Sequence, residues 1–297
     1  MALTRTLMPT LLAATLAAAQ LPVPLPQNPS PMADTTRPHP RIVEYAPRGQ
    51  RVPIDEGTLF VRDRLKASAR VPLIIHFHGA PWLVEHHVSR LEQPALLVTF
   101  QVGSGSGVYG RAFADPARFN TLVAGTAAAA TRLLARPVTL DPIVLSSFSA
   151  GYGAVRAILR HPDHYARVST VLLADSLHAD YEGSPGEPRT ADLAVHASDI
   201  DVFLRLAQDA AARRTHFFVT HSEVYPGTYA STTETADALI ASLGLTRRTR
   251  LREGPLGMQQ LSDTSRGDFT VLGFAGNSAP DHLDHLYALG EWLARVR

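Results

Sequence analysis

The segment IVLSSFSAGYGAV, residues 143–155, carries three serines between an apolar run and two glycines. A serine hydroxyl becomes a nucleophile only with a base in hydrogen-bond reach and with donors aimed at the oxyanion that develops. A sharp strand-to-helix turn supplies the exposure, but it requires small residues two positions before and two positions after the serine. Bulky residues at those positions exclude Ser146 and Ser147. Ser149, which has Ser147 before it and Gly151 after it, fits the requirement.

Two histidines near the end of the chain could act as the base. His282 and His285 lie in GNSAPDHLDHLYALGEWLARV, which follows the last strand predicted from the sequence. At 100° per residue, His282 falls near the centre of the apolar face of this helix, whereas His285 lies toward its edge. A histidine that points inward over the strand ends is placed to accept a proton, so we favour His282 and keep His285 as the alternate.

A buried carboxylate must orient the imidazole of such a base. Asp175 ends the apolar run VSTVLLAD, and Glu223 comes three residues after the run THFFVT. A carboxylate that ends so apolar a strand needs a partner, because a buried charge without one is costly. We therefore prefer Asp175 as the acid, with Glu223 as the alternate.

With these motifs in this order, residues 70–297 resemble the α/β-hydrolase superfamily of serine esterases, lipases and peptidases. The segment HFHGAPW, residues 76–82, is similar to the His-Gly oxyanion loop of that family, although HGAP replaces the HGGG of many members. The resemblance implies that the backbone N–H groups of Ala150 and Ala80 hold the oxyanion. It also implies that Pro81 and Trp82 lie beside the pocket, and we expect His78, Gly79 and Tyr152 to contact the substrate with Trp82.

The order of predicted elements agrees with this resemblance. Short apolar strands alternate with helical patterns from residue 71 to the C-terminus, which predicts α/β architecture with a mostly parallel central sheet and helices on both faces, a three-layer sandwich. Two earlier segments, RIVEYA and TLFVRD, read as edge strands. Ligands of such sheets bind beyond the carboxyl ends of the strands, where the candidate residues occur.

The N-terminus has the pattern of an export signal. Residues 1–19 combine Arg5, a short apolar run and an Ala-x-Ala exit, which predicts a cleaved signal peptide and a periplasmic or extracellular protein. Residues 20–40 are rich in proline and predict a disordered linker, and residues 41–297 a single catalytic domain. We expect no membrane span after signal removal, and the net charge of +1 gives no indication of a nucleic-acid partner.

The sequence thus predicts a secreted serine hydrolase that cleaves a small-molecule or polymeric ester, less readily an amide, without a cofactor. Two other functions stay open. A metal-dependent hydrolase could use three histidine pairs as ligands, His76 with His78, His86 with His87, and His282 with His285. A protein of the same fold could also bind a ligand without turnover, since Ser147 stands where this turn usually has glycine.

Overall fold

The computed structural model describes residues 37–65, 68–183 and 194–296 of the 297-residue chain. The predicted signal peptide and most of the predicted linker lie outside these residues. One mixed sheet runs through the described part, and its ten strands lie in the order β1-β2-β4-β3-β5-β6-β7-β10-β9-β8. The strands are β1 (Gly49–Ile54), β2 (Gly57–Arg62), β3 (Arg70–Phe77), β4 (Leu96–Phe100), β5 (Thr139–Phe148), β6 (Val168–Ala174), β7 (His216–His221), β8 (Arg248–Glu253), β9 (Gln259–Arg266) and β10 (Phe269–Phe274).

The middle of the sheet is parallel and its two edges are antiparallel. Strands β4, β3, β5, β6, β7 and β10 pair in parallel, whereas β1, β2, β9 and β8 pair antiparallel with their neighbours. The parallel strands are almost entirely buried, as expected for strands that helices cover on both faces. The fold class predicted from the sequence is confirmed.

Helices lie on both faces of this sheet. They are α1 (Pro81–Ser89), α2 (Ser106–Ala112), α3 (Pro116–Leu134), α4 (Tyr152–Leu159), α5 (Pro162–Arg167), α6 (Ala197–Ala211), α7 (Thr232–Ser242), α8 (Ala279–Tyr287) and α9 (Leu289–Arg295). No helix of the described ranges is long and apolar enough to span a bilayer.

Alternation along the strands separates two apolar cores. On β3, Leu73, Ile75 and Phe77 face the core that α2, α3, α4, α6 and α7 cover, whereas Ile74 faces the other core. Helices α1, α8 and α9 cover this second core, and Trp292 of α9 is fully buried in it. This two-residue alternation is a direct consequence of strand geometry.

Two predicted elements differ in the structure, and one hairpin of the structure has no counterpart in the prediction. RIVEYA forms no strand, because Arg41 bonds to α8 and Val43 is exposed. The single final helix is two helices, since Ala288 leaves the helical conformation and the indole of Trp292 donates to the His285 carbonyl. The β8–β9 hairpin was not predicted, because the arginine-rich β8 is exposed at every residue and shows no apolar alternation.

Close packing of α4 against α2 depends on a glycine. A Cβ at Gly153 would lie 2.1 Å from the backbone oxygen of Ser106, whereas a Cβ at Gly125 in α3 would meet nothing within 4 Å. Backbone atoms cannot move aside as the end of a flexible side chain can. Glycine at position 153 is therefore a steric requirement for the contact between these helices.

We expect Gly153→Ala to lower the free energy of unfolding by at least about 2 kcal/mol, because the added methyl group forces α2 and α4 apart. Gly125→Ala is the matched control, and it should raise stability by about 0.5–1 kcal/mol through helix propensity. Urea denaturation of both variants measures the two effects. Equal stabilities would show that α2 moves aside at little cost.

Candidate active site

Ser149 occupies a strained turn at the carboxyl end of β5. Its φ is +48°, a left-handed conformation that a non-glycine residue adopts at a cost of about 1–3 kcal/mol. A short 3₁₀ turn, Ser149–Gly151, then leads directly into α4. A Cβ at Gly151 would lie 2.1 Å from the carbonyl oxygen of Phe77, so the position two residues after Ser149 must be glycine. This is the geometry that the flanking residues predicted.

The structure brings Asp175 and His282 together. Asp175 comes directly after β6 and is buried, and its Oδ2 lies 2.6 Å from Nδ1 of His282 in the first turn of α8. The His282 ring stacks on Phe148, the residue before Ser149, with the two centroids 4.5 Å apart. The side chain of His282 is 24% exposed, whereas that of Asp175 is 1% exposed. The imidazole therefore connects the buried carboxylate to the protein surface and packs on the residue that precedes Ser149.

Several groups stabilise the charge of the Asp175 carboxylate. Its Oδ1 accepts hydrogen bonds from the backbone N–H of Ser222, at 2.9 Å, and from the hydroxyl of Thr232, at 2.5 Å. Burial by itself raises the pKa of Asp175, but His285, His282 and these hydrogen bonds outweigh burial and hold the pKa well below its usual range. Asp175 is therefore an ionised hydrogen-bond acceptor at neutral pH.

The two alternates occupy different positions. His285 is buried, and its Nδ1 lies 2.7 Å from the hydroxyl of Thr220. Burial lowers the pKa of His285, and this effect outweighs the nearby Asp175 carboxylate, which raises it. Glu223 has one buried carboxylate oxygen with no hydrogen-bond partner among the described residues, and its backbone N–H donates to Gly276. The geometry thus favours His282 over His285 and Asp175 over Glu223.

A cavity of about 450 Å³ opens beside Ser149. Three other residues expected at the site line it as well, His78, Ala150 and Tyr152. The remaining lining comes from loops and helices far apart in the sequence: Ser104, Gly105, Ser106, Arg156, His178, Ala179, Asp180, Asp199 and Tyr229. A larger cavity of about 730 Å³ lies between α1 and α9. It is lined by His86 and His87 but by none of the residues expected to take part in acyl transfer.

Three residues of the predicted oxyanion loop do not line the 450 Å³ cavity. The backbone N–H of Gly79 donates to the Gln101 side chain at 2.8 Å, and Ala80 precedes α1 and packs against the second core. Trp82, in the first turn of α1, packs against Tyr45 and Tyr287. Helix α1 begins at Pro81, so Trp82 belongs to this helix, and its indole packs against the second core rather than lining the cavity.

A buried histidine, His76, supports the predicted oxyanion loop through hydrogen bonds. Nε2 of His76 lies 2.8 Å from the carbonyl oxygen of His78, and its Nδ1 lies 3.0 Å from the hydroxyl of Ser146. Burial lowers the pKa of His76 to about 4, although the hydrogen bond to the His78 carbonyl favours protonation. His76 is therefore a neutral structural residue beneath the loop.

The predicted metal-binding pairs do not converge. Within residues 37–65, 68–183 and 194–296, the one group of three side chains able to share an ion is His39, Asp281 and Asp284. Arg37 forms ion pairs with both of these aspartates, and Arg41 with Asp284. The carboxylate charges are thus already compensated by protein cations.

These contacts connect residues 37–41, near the start of the described chain, to helix α8. Asp284 is completely buried and accepts from Arg37, from His39 at 2.8 Å and from Arg41 at 3.1 Å. Arg37 and His39 belong to the segment that the sequence assigns to the linker. The helix that carries His282 is therefore anchored by residues outside the predicted domain boundary.

Sequence reasoning missed most of the cavity wall. Arg156 forms an ion pair with Asp199 at 3.0 Å, and His178 bonds through Nδ1 to the Ala230 carbonyl at 3.0 Å. Nothing in the sequence relates these residues, because α4, α6 and the loop after β6 meet only in the folded chain. Ser176 was also missed, although its position directly after Asp175 at a strand end was a usable signal.

No protein-family model matches this chain, and no curated protein does. Solved structures match it at low similarity. They include a thermostable esterase (13% identity, TM-score 0.36, 63% of this chain and 47% of that one). Two others are the enterobactin esterase FES from Shigella flexneri (16%, 0.43, 86% and 61%) and the acylaminoacyl peptidase of Pyrococcus horikoshii (12%, 0.45, 86% and 42%).

By their names these three are two esterases and a peptidase. The chain spans between about two fifths and three fifths of the length of each structure it matches. Because every TM-score is below 0.5, the fold and the chemistry are argued from the strands, helices and residues of this chain.

We expect the free energy of unfolding to fall as the pH is lowered from about 6.5 to about 4. Over this interval His76 stays neutral when folded but takes up a proton when unfolded, so acid favours the unfolded chain. One such histidine contributes up to about 1.4 kcal/mol per pH unit. His221, whose burial lowers its pKa to about 3, adds to the slope of stability against pH.

Urea titrations between about pH 7 and pH 5 measure this slope. The variant His76→Gln should show a smaller slope, and an unchanged slope would count against this explanation.

We expect Asp284→Asn to destabilise the protein by about 3–5 kcal/mol, because it leaves the cations of Arg37 and Arg41 without their buried partner. The matched control is Asp263→Asn. Asp263 also pairs with two arginines, but both are half exposed, so its loss should cost less than about 1 kcal/mol. Chemical denaturation at neutral pH compares the two. Equal losses would show that the N-terminal contacts add nothing to stability.

Proposed function

We propose that this protein is a serine hydrolase that cleaves ester bonds through an acyl-enzyme, with Ser149 as nucleophile, His282 as base and Asp175 as the orienting acid. The observation that carries the proposal is the 2.6 Å contact between Asp175 and His282, directly beside the left-handed turn that presents Ser149. A buried ionised carboxylate, an imidazole that reaches the surface and a hydroxyl in a strained turn are the three parts that nucleophilic acyl transfer needs.

The proton path follows from the tautomer of His282. Nδ1–H donates to the Asp175 carboxylate, so Nε2 carries the lone pair and accepts the proton of Ser149 as its oxygen attacks the carbonyl carbon. The imidazolium then gives this proton to the departing alcohol. A water molecule, deprotonated by the same Nε2, then attacks the acyl-enzyme. The imidazolium returns this proton to the Ser149 oxygen as the acid is released. Asp175 stays ionised throughout, because its pKa lies far below neutrality.

The oxyanion is assigned to backbone donors. Ala150 follows Ser149 and lines the cavity, so its N–H is the first donor. In the opposite loop the N–H of Gly79 is already bonded to Gln101, and Pro81 has none. We therefore propose Ala80 as the second donor, reached by a small movement of the loop when substrate binds.

The cavity supports a small ester with polar groups as substrate. Its volume of about 450 Å³ lies in the range of small-molecule sites. Tyr152, His178 and Tyr229 supply aromatic surface, and the Arg156–Asp199 pair supplies fixed charges. We further propose that the enzyme acts outside the cytoplasm, on the basis of the signal pattern in residues 1–19.

We expect Ser149→Ala to abolish covalent labelling by a fluorophosphonate and to lower kcat on p-nitrophenyl esters by about 10³-fold or more, because the acyl-enzyme can no longer form. Gel fluorescence and steady-state kinetics over a series of acyl chain lengths measure both effects. Ser89→Ala is the control, because Ser89 ends α1 and lies outside the cavity. Labelling that persists in Ser149→Ala, or that never occurs in the wild type, would refute the proposed function.

A further inference from the structure

Two buried serines outside the proposed triad connect the ends of β5 and β6. Ser147 lies on β5, two residues before Ser149, and Ser176 directly follows Asp175. Both are completely buried. The two hydroxyl oxygens lie 2.8 Å apart, and the Ser176 hydroxyl donates to the carbonyl oxygen of Ser149 at 2.7 Å.

The direction of these hydrogen bonds follows from the number of protons. A serine hydroxyl has one hydrogen, and that of Ser176 is used on the Ser149 carbonyl. The hydroxyl of Ser147 must then donate to Ser176. The result is a chain in one direction, from Ser147 to Ser176 to the Ser149 carbonyl, in which each bond polarises the next.

This carbonyl belongs to the peptide group that carries the proposed oxyanion donor. The C=O of Ser149 and the N–H of Ala150 share one planar trans peptide, so they point in opposite directions. The carbonyl is held on the buried side by Ser176, and Ala150 lines the cavity on the other side. Fixing the carbonyl therefore fixes the direction of the N–H.

We propose that Ser176, supported by Ser147, is a positioning residue that aims the Ala150 N–H at the oxyanion and polarises it. This inference rests on the proposed serine hydrolase function and adds to it a source of preorganisation within the elbow. A hydrogen bond to the carbonyl makes the amide of the same peptide a better donor, and it holds Ser149 in its left-handed conformation.

The chain also explains the serine that stands in place of glycine before the nucleophile. Position 147 needs a small side chain because the turn is tight, and its hydroxyl completes the donor chain to Ser176. A glycine there would satisfy the steric requirement but leave the buried oxygen of Ser176 without its donor.

The test compares Ser176→Ala with Ser169→Ala. Ser169 also donates its hydroxyl to a carbonyl of β5, that of Ile143 at 2.9 Å, but it lies at the opposite end of β6. We expect Ser176→Ala to lower kcat on a p-nitrophenyl ester about tenfold or more, with KM within roughly twofold of wild type. The dissociation constant of an alkyl boronic acid, which mimics the tetrahedral intermediate, should rise by a similar factor. Ser169→Ala should keep wild-type kinetics while losing similar thermal stability.

A purely structural role would lower the melting temperature of both variants and leave kcat and boronic acid binding unchanged in Ser176→Ala, which would overturn the inference. A loss confined to KM would overturn it too. If Ser176→Ala does not fold, Ser147→Ala is the test. Its kcat should fall roughly threefold with KM unchanged, because the hydrogen-bond chain loses the bond from Ser147 to Ser176. A wild-type kcat in this variant overturns the inference. Wild-type protein that hydrolyses no ester and takes no label overturns the proposed function itself, so the two failures are distinguishable.

Discussion

A buried carboxylate, that of Asp175, determines how three elements meet at the functional edge of the sheet. A charge in the interior must be compensated by hydrogen bonds, and Asp175 receives them from the end of β7, from the first turn of α7 and from α8. Each donor comes from a different part of the chain. Desolvation of this one group therefore ties the positions of α7 and α8 to the strand ends, and with them the position of the His282 ring.

Helix α8 is held by charges on two sides. His282 bonds to Asp175, and Asp284, two residues later and about 200° around the helix, bonds to the cations of residues 37–41. Both carboxylates are buried, so a displacement of the helix would expose or separate charges on both sides. The imidazole is thereby oriented by a rigid helix rather than by a loop, which suits a group whose tautomer and direction must be maintained.

Backbone strain and close backbone packing both occur at the carboxyl ends of the central strands, where the candidate site lies. His78, Ser149, Asp175 and Leu177 are four of the nine described non-glycine residues with positive φ, and all four lie at or just after strand ends. Gly151 against the Phe77 carbonyl and Gly153 against the Ser106 carbonyl keep the turn tight. The buried serine chain then holds the carbonyl of the strained residue. These features act together, because a turn this sharp persists only where its surroundings determine it fully.

The central strands and most helices could be predicted from the sequence, because buried parallel strands read as continuous apolar runs and helices as a 3.6-residue period. The β8–β9 hairpin could not, since β8 is exposed at every residue and the buried residues of β9, Gln260, Ser262 and Thr264, are polar, so neither strand shows an apolar alternation. The turn at Ser149 could be predicted because its requirement for small side chains concerns only five consecutive residues, 147–151.

By itself, the sequence determined the order of the elements and the position of the turn. Only the tertiary structure decided that Asp175, and not Glu223, reaches His282, and that Trp82 packs against Tyr45 and Tyr287. It also decided that Arg156, His178 and Tyr229 form part of the cavity wall. Those relations depend on the distances between segments that are far apart in the chain, and no local pattern carries them.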